Sequence, residues 1–346
     1  MLGGGVFVTQ NKILPGSYIN FVNASNANST VSDRGVVAIP MALNKSADSV
    51  IELTKADFLT NADTLLGIAY SSDEAKPLRE IFCHASKVYI YDLGTDGTIT
   101  EALAALEPYD FNVLCAYSDT SDDVLACIAK VKSWRDDMGK KCQVVVYNQT
   151  TAPDHEGVID VVSTVSDSGA EAHALIAWVA GAEAGCKINE SCTNMLYDGE
   201  YTVKVDKTQS QLETCLTSGQ FVFHQVYGDI RVLEDINSLK STTADKGEDF
   251  KSNQTIRVID QIANDIAKLF NTKYLGKIAN NKSGRVSFWG DIVAHHKQLE
   301  AIQAIEDFDS TLVTVEQGTN KKSVVVNDAV KVTNTMSILY MTVIVS

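Results

Sequence analysis

Asp92 and Asp96 are the carboxylates best placed to do chemistry. They belong to Asp92-Leu-Gly-Thr-Asp-Gly-Thr98, at the end of an expected strand, where α/β sheets bind their ligands. A nucleophilic aspartate with an acid neighbour would suit a hydrolase or phosphotransfer enzyme, and a site near Asp92/Asp96 is the enzymatic alternative for this chain. Their separation does not keep the two carboxylates in nucleophile–acid geometry, however, and Asp, Gly and Thr are ordinary βα-turn residues. Cys186 and Cys192, with His173 one helix earlier, are spaced too loosely for structural zinc, so no metal is expected. His295 and His296 flank an apolar helix stripe, where satisfied, partly buried histidines are the ordinary outcome. No Gly-x-x-x-x-Gly-Lys-Ser/Thr loop, no Gly-x-Gly-x-x-Gly after a strand and no nucleophile-elbow serine occurs. No catalytic residue and no cofactor is therefore expected.

Charge and hydropathy narrow the classes further. A net charge of −15 opposes phosphate-backbone recognition, so nucleic acid is not an expected partner. No run reaches the roughly 18 apolar residues of a membrane span, and no direct membrane insertion is expected. The first residues lack a basic head and an apolar stretch of signal-peptide length, which suits a cytoplasmic chain. Seven scattered cysteines, mostly in apolar segments, read as reduced core thiols.

The elements that must carry these residues change rhythm along the chain. A strand is expected at Arg34 to Met41, with two modest helices after it. From Val88 strands and helices alternate: Val88–Leu93, Phe111–Tyr117, Gln143–Tyr147 and Val158–Thr164 are strands. Ile99–Glu107, Asp122–Met138 and the nearly all-apolar Ala170–Ala184 are helices. Strands apolar on both faces and joined by helices imply a mainly parallel sheet, covered on both sides. Beyond Asp229–Gly247 the helix Glu248–Phe270 carries the stripe Ile256, Ile259, Ile262, Ile266 and Leu269. A helix Asp291–Ile305 comes next, then a meander of Leu312–Gln317, Ser323–Val326 and Ala329–Thr333. The fold class is α/β and α+β multidomain. The expected divisions are an N-terminal strand arm 1–22, an outer subdomain 23–87, a central α/β domain 88–230, an inner α+β domain 231–333 and a C-terminal strand arm 334–346.

The two end segments organise this reading. Lys331–Ser346 closes on Ile-Leu-Tyr-Met-Thr-Val-Ile-Val, an apolar run that wants both faces covered. Val6, Phe7 and Val8 form a short apolar strand near the other end. Extended, sixteen residues reach roughly 50 Å, so either segment completes its own sheet or a neighbour's.

Several segments, in order and spacing, carry a family likeness. They are Pro15-Gly16-x-Tyr18, the run Arg34 to Pro40, Arg231 to Ser238, Arg257-Val258-Ile259-Asp260, Ala263 to Ala267, Gly284-Arg285, Asn327-Asp328 and Leu339 to Val343. Together they resemble the contractile tail sheath protein of myophages and of phage-tail-like bacteriocins, the Gram-positive type especially. That resemblance implies a subtilisin-like central sheet without the protease's residues, and ends that exchange strands between subunits. It implies hexameric rings stacked helically around a tail tube, with baseplate and tail-terminator or collar proteins as further partners. On contraction the tube is driven through a cell envelope. The particle would be assembled in the host bacterial cytoplasm. On this comparison Val6, Phe7 and Val8 from one end and Ile338, Tyr340, Met341, Val343 and Ile344 from the other make intersubunit pairings. The helix Asp291–Ile305, with His295, His296, Lys297 and Gln303, is the tube-facing candidate.

Overall fold

The computed structural model describes residues 31–43 and 50–344; the expected arm strand Val6, Phe7 and Val8 lies outside them. Seven strands make one sheet: β1 (Val36–Met41), β2 (Val50–Thr54), β3 (Lys87–Asp92), β4 (Val113–Cys115), β5 (Gln143–Tyr147), β6 (Val158–Val161) and β7 (Gln220–Phe221). Their order is β2-β3-β1-β4-β5-β6-β7. All neighbours run parallel except β2, which is antiparallel to β3. In chain order the first helices are α1 (Lys55–Leu66), α2 (Lys76–Ile81), α3 (Ile99–Leu106), α4 (Ser121–Ser133), α5 (Leu175–Gly185) and α6 (Gln209–Thr217). Residues of α1, α2 and α5 share one core with one sheet face, and residues of α3 and α4 share a second core with the other. This is the covered, mainly parallel sheet that two-sided apolar strands demand.

Two expected boundaries fall inside elements. β1 lies between β3 and β4, so the division at 87/88 cuts through the sheet. Val37, Ala38 and Ile39 are completely buried, and a strand apolar on both faces needs neighbours on both edges. The division at 230/231 cuts the hairpin of β8 (Phe223–Val226) and β9 (Asp229–Val232). The all-apolar helix starts at Leu175, later than expected. The preceding residues are held in turns, with the Thr164 hydroxyl bonded to the Ala172 carbonyl.

The C-terminal part has its own core. Helices α7 (Asn253–Leu269) and α8 (Lys282–Ala301) enclose Val258, Ile262, Phe288, Ile292 and Leu299. The remaining strands are β10 (Ile305–Glu306), β11 (Thr314–Gln317), β12 (Val324–Asn327) and β13 (Lys331–Val332). They do not form the expected three-stranded meander. β11 pairs with β12, whereas β13 turns back to β10, matching Ile305 to Val332. The cause is visible in the side chains: Asp328 points inward to His296, and Lys331 Nζ reaches Glu306 at 2.6 Å.

One contact between helices sets a tolerance. Gly181 of α5 sits where an added Cβ would collide with the Ile81 carbonyl of α2. Helix propensity alone favours alanine over glycine by about 1 kcal/mol, whereas overpacking costs about 1–3 kcal/mol. Gly181→Ala is therefore expected to lower the melting temperature, and a raised value in a thermal melt would contradict this packing.

Candidate functional site

The residues singled out for chemistry are spent on structure. Asp92 is fully buried, and its Oδ1 accepts the backbone N–H groups of Leu43 and Gly94, both at 2.8 Å. Asp96 is exposed and accepts from Thr95. The aspartate turn thus ties β3 to the segment after β1. Cys186 and Cys192 are side-chain hydrogen-bond neighbours beside Arg257, but His173 stacks edge-on against Tyr117 and does not join them. All seven cysteines are free. Burial pushes the thiols of Cys127 and Cys142 up to about 12 and about 11, which suits core groups rather than nucleophiles.

A different constellation dominates the interior, and it belongs to α7. Ser252 caps this helix by accepting from the Thr255 N–H. Its apolar stripe splits: Ile262, Ile266 and Leu269 enter the α7–α8 core, while Ile256 and Ile259 pack with Leu239 and Phe250. Asn253, Arg257, Asp260, Gln261 and Asp265 lie at helical spacing away from that stripe. They are buried as well, which a surface helix would not allow.

They are buried because the α/β domain supplies partners for each. Arg257 Nη2 is 2.6 Å from Glu183 Oε2 and 3.1 Å from Asp235 Oδ2, and Nη1 donates to the Glu190 carbonyl at 2.8 Å. Asp260 receives both Nη atoms of Arg135, at 2.5 and 2.9 Å, a bidentate pairing. Asn253 joins Gln143 to Glu183. Asn264 donates to the Lys141 carbonyl, and Asp265 accepts from the Ser32 N–H. Ser32, Lys141 and Gln143 lie at the amino ends of β1 and β5, so α7 crosses that edge of the sheet.

The electrostatics come from burial and pairing. Burial, then the charge of Asp235, holds the Glu183 carboxyl well above its usual range. For Asp235 burial opposes ionisation, but Arg257 and a hydrogen bond from Glu183 outweigh it and the group stays low. The cluster therefore holds one guanidinium, one carboxylate and one neutral acid. Glu183, Cys192 and Asp235 bring ligand-type atoms within 4.8 Å of one another, but the guanidinium of Arg257 already supplies their positive charge. Nearby, burial opposes the charge of Glu156, yet Arg135 and its other basic neighbours lower it to about 2.

The tube-facing candidates divide. His295 and His296 are completely buried, sharing a helix face with Ile292 and Leu299, so they present nothing to a partner. Lys297 and Gln303 are exposed. His295 Nε2 lies 3.0 Å from Asp265, and His296 Nε2 lies 3.1 Å from Asp328. Burial keeps both imidazoles neutral and pushes Asp328 up to about 9.

At the C-terminal end, Gln254 grips the departing chain. Its Nε2 donates to the Thr333 carbonyl, and its Oε1 accepts from the N–H and hydroxyl of Thr335. Beyond Thr335 the described residues enter no strand. Ile338, Tyr340, Met341, Val343 and Ile344 are 65–89% exposed, a contiguous apolar segment uncovered within its own subunit. The sequence identified this segment and the stripe of α7. It missed the polar face of α7, although Arg257 and Asp260 at helical spacing, and a lone Glu183 in an all-apolar helix, were its visible signals.

Two outcomes test this geometry. Arg257→Met leaves the buried Asp235 carboxylate without its cation and is expected to cost about 3–5 kcal/mol, read by chemical denaturation; Arg257→Lys should not restore it, because an ammonium lacks the planar fork. Asp328 keeps its proton on folding at neutral pH, whereas the unfolded chain, near about 3.9, has lost it. Stability from this group falls as pH rises towards about 9. Asp328→Asn should therefore gain on the parent from about pH 6.5 to 8.5, with a limiting slope of about 1.4 kcal/mol per pH unit. Parallel melting curves across that range would refute the assignment.

Comparison with known proteins gives this architecture a family context. Residues 95–238 match the phage tail sheath protein central domain, and residues 245–346 match the phage tail sheath C-terminal domain. The tail sheath protein of Clostridium phage phiCD119 is 30% identical over 295 residues, covering 82% of this chain and 79% of that protein. Bacillus subtilis YqbK, an uncharacterized protein, is 32% identical over 63% of this chain. The chain spans about half the length of that relative (50%). The crystal structure of a sheath tail protein from Desulfitobacterium hafniense superposes with a TM-score of 0.77 at 26% identity, covering 92% of this chain and 96% of that one. The contracted helical sheath of the anti-feeding prophage shares the fold, with a TM-score of 0.67 at 16% identity over 96% of this chain and 99% of that one.

Proposed function

From the premise that this chain belongs to the phage tail sheath family of contractile injection systems, we propose that it polymerises as stacked hexameric rings around a tail tube and contracts to drive the tube through a target envelope. The observation that carries this reading is the exposed apolar segment running to Ile344. An extended strand adds to a neighbour's sheet through backbone hydrogen bonds, while alternate side chains set register. Ile338, Tyr340, Met341, Val343 and Ile344 supply those side chains from one end, with Val6, Phe7 and Val8 as the sequence-based counterpart from the other. The two-stranded β11–β12 hairpin offers a short sheet to extend.

A contact between different surfaces of identical subunits does not close, and so propagates as a helical array. Strand-linked neighbours stay joined while their folded bodies repack from an extended lattice to a more buried one, which supplies the driving energy. No nucleotide chemistry is required, and the chain is read as non-enzymatic. Asp92 and Asp96 offer no competing site, since the former is committed to backbone donors. In this arrangement the C-terminal domain built on α7 and α8 lies against the tube, with Lys297 and Gln303 of α8 available for contact. The middle of the chain faces outward. Baseplate and terminator or collar proteins bound the array, and assembly takes place in the host cytoplasm.

Removal of residues 336–346, which leaves β13 and the Gln254 contacts in place, tests the reading. The shortened chain is expected to melt within a few degrees of the parent yet form no tubular sheaths by electron microscopy. Sheaths of normal appearance would overturn arm exchange.

A further inference from the structure

Two of the seven cysteines meet inside the joint between the domains. Cys186 is the first residue after α5, and its N–H still bonds to the Ala182 carbonyl. Cys192 follows after a loop of five residues, Lys187 to Ser191, and its thiol donates to the Cys186 sulfur. The Cys192 N–H donates to Asp235 Oδ2 at 2.9 Å, and its Sγ lies 3.7 Å from Arg257 Nη2. Glu190, between the two cysteines, gives its carbonyl to Arg257 Nη1 at 2.8 Å. The thiol pair is thus built into the same contacts that hold α7.

The surroundings favour negative charge on one sulfur of the pair. Arg257 is matched by the Asp235 carboxylate, since Glu183 holds its proton. Arg34 instead reaches neutral acceptors, Gln261 Oε1 at 3.5 Å and the Glu183 carbonyl at 3.4 Å. Of the seven thiols only that of Cys186 is moved below its ordinary value, first by the Cys192 hydrogen bond and then, against burial, by Arg257 and Arg34. The other six are raised. A lowered thiol beside a guanidinium is the pattern of a reactive cysteine. Cys186 is also the more open of the two, at 4% exposed against 0% for Cys192. Lys187 and Glu190 of the connecting loop are exposed, so a local opening of that loop admits a small oxidant.

We propose that Cys186 and Cys192 are a redox site, which hydrogen peroxide converts to an intramolecular disulfide that staples the end of α5 to the loop holding Arg257. The Cys186 thiolate attacks one peroxide oxygen and the O–O bond breaks. The sulfur becomes a sulfenic acid, and the departing hydroxide takes a proton from solvent and leaves as water. The Cys192 sulfur then attacks the Cys186 sulfur. The S–O bond breaks, and the sulfenic hydroxyl leaves with the Cys192 proton as a second water. The two thiols have given two electrons to one peroxide. The bond fixes two of the three stretches that meet Arg257, those of Glu183 and Glu190. Its timing rests on the sheath reading, since a particle built in a reducing cytoplasm and acting outside it meets oxidant after assembly.

The test treats the reduced full chain with hydrogen peroxide and counts thiols after denaturation. The count is expected to fall from seven to five, and dithiothreitol should restore it. Trypsin cuts after Lys187, between the two cysteines, so mass spectrometry should find residues 188–204 linked to the peptide that ends at Lys187. Cys186→Ser should lose no thiol at the same dose. Cys192→Ser should lose one, with the Cys186 sulfenic acid trapped by dimedone. The oxidised parent should melt a few degrees above the reduced one. The linked peptide is read on the unsubstituted chain, so a variant that misfolds leaves the test decisive. A parent that keeps its thiols, links other cysteines, or melts no higher when oxidised overturns the inference and leaves the sheath reading intact. So does equal thiol loss in Cys186→Ser. A chain that forms no sheaths would instead sink the sheath reading, while the peroxide result on the isolated chain would stand.

Discussion

The placement of Arg257 inside the protein constrains everything around it. A guanidinium with 1% of its surface exposed is tolerable only where buried acceptors meet its charge, as they do here at both Nη atoms. Glu183 comes from the last turn of an otherwise apolar helix, Asp235 from the chain after β9, and the Glu190 carbonyl from the loop between them. Three separate stretches must therefore be in register before α7 can dock. The bidentate Arg135–Asp260 pair repeats the demand nearly one helical turn further along. Such a joint contributes little net energy relative to apolar packing, but it tolerates few alternative orientations of the two domains.

That rigidity gives the ends of the chain their meaning. α7 buries an apolar stripe in its own domain and a polar face in the other, so the two cores behave as one body. The grip of Gln254 on Thr333 and Thr335 fixes where the C-terminal segment leaves that body. From Ile338 to Ile344 that segment is apolar and uncovered. A sheath whose subunits slide and rotate needs firm bodies and durable connections between them. The buried ion pairs suit the first need, and under the proposed arm exchange a shared strand would serve the second with contacts that do not depend on how the bodies are oriented.

The carboxylates singled out at the sheet's carboxyl edge do not share a site. In an α/β enzyme that edge is where loops are shaped around a substrate. Here Asp92 is turned inward to bind two backbone N–H groups, while Asp96 is exposed.

Much of this was legible in the residues themselves. Two-sided apolar strands required a covered parallel sheet and the isoleucine stripe required α7, because each follows from local periodicity and the cost of exposing apolar area. Long-range pairing was not legible in the same way. Periodicity cannot say that β1 inserts between β3 and β4, or that β13 turns back to β10 instead of extending the β11–β12 hairpin, since a strand's pattern records its faces and not its neighbours. The histidines were misjudged as tube-facing candidates because sequence places a residue on a helix face without showing what covers that face. The joint was the least visible part. Whether Arg257, Asp260 and Glu183 are solvated charges or buried partners depends on the meeting of segments far apart in the chain, and only the tertiary structure decides that.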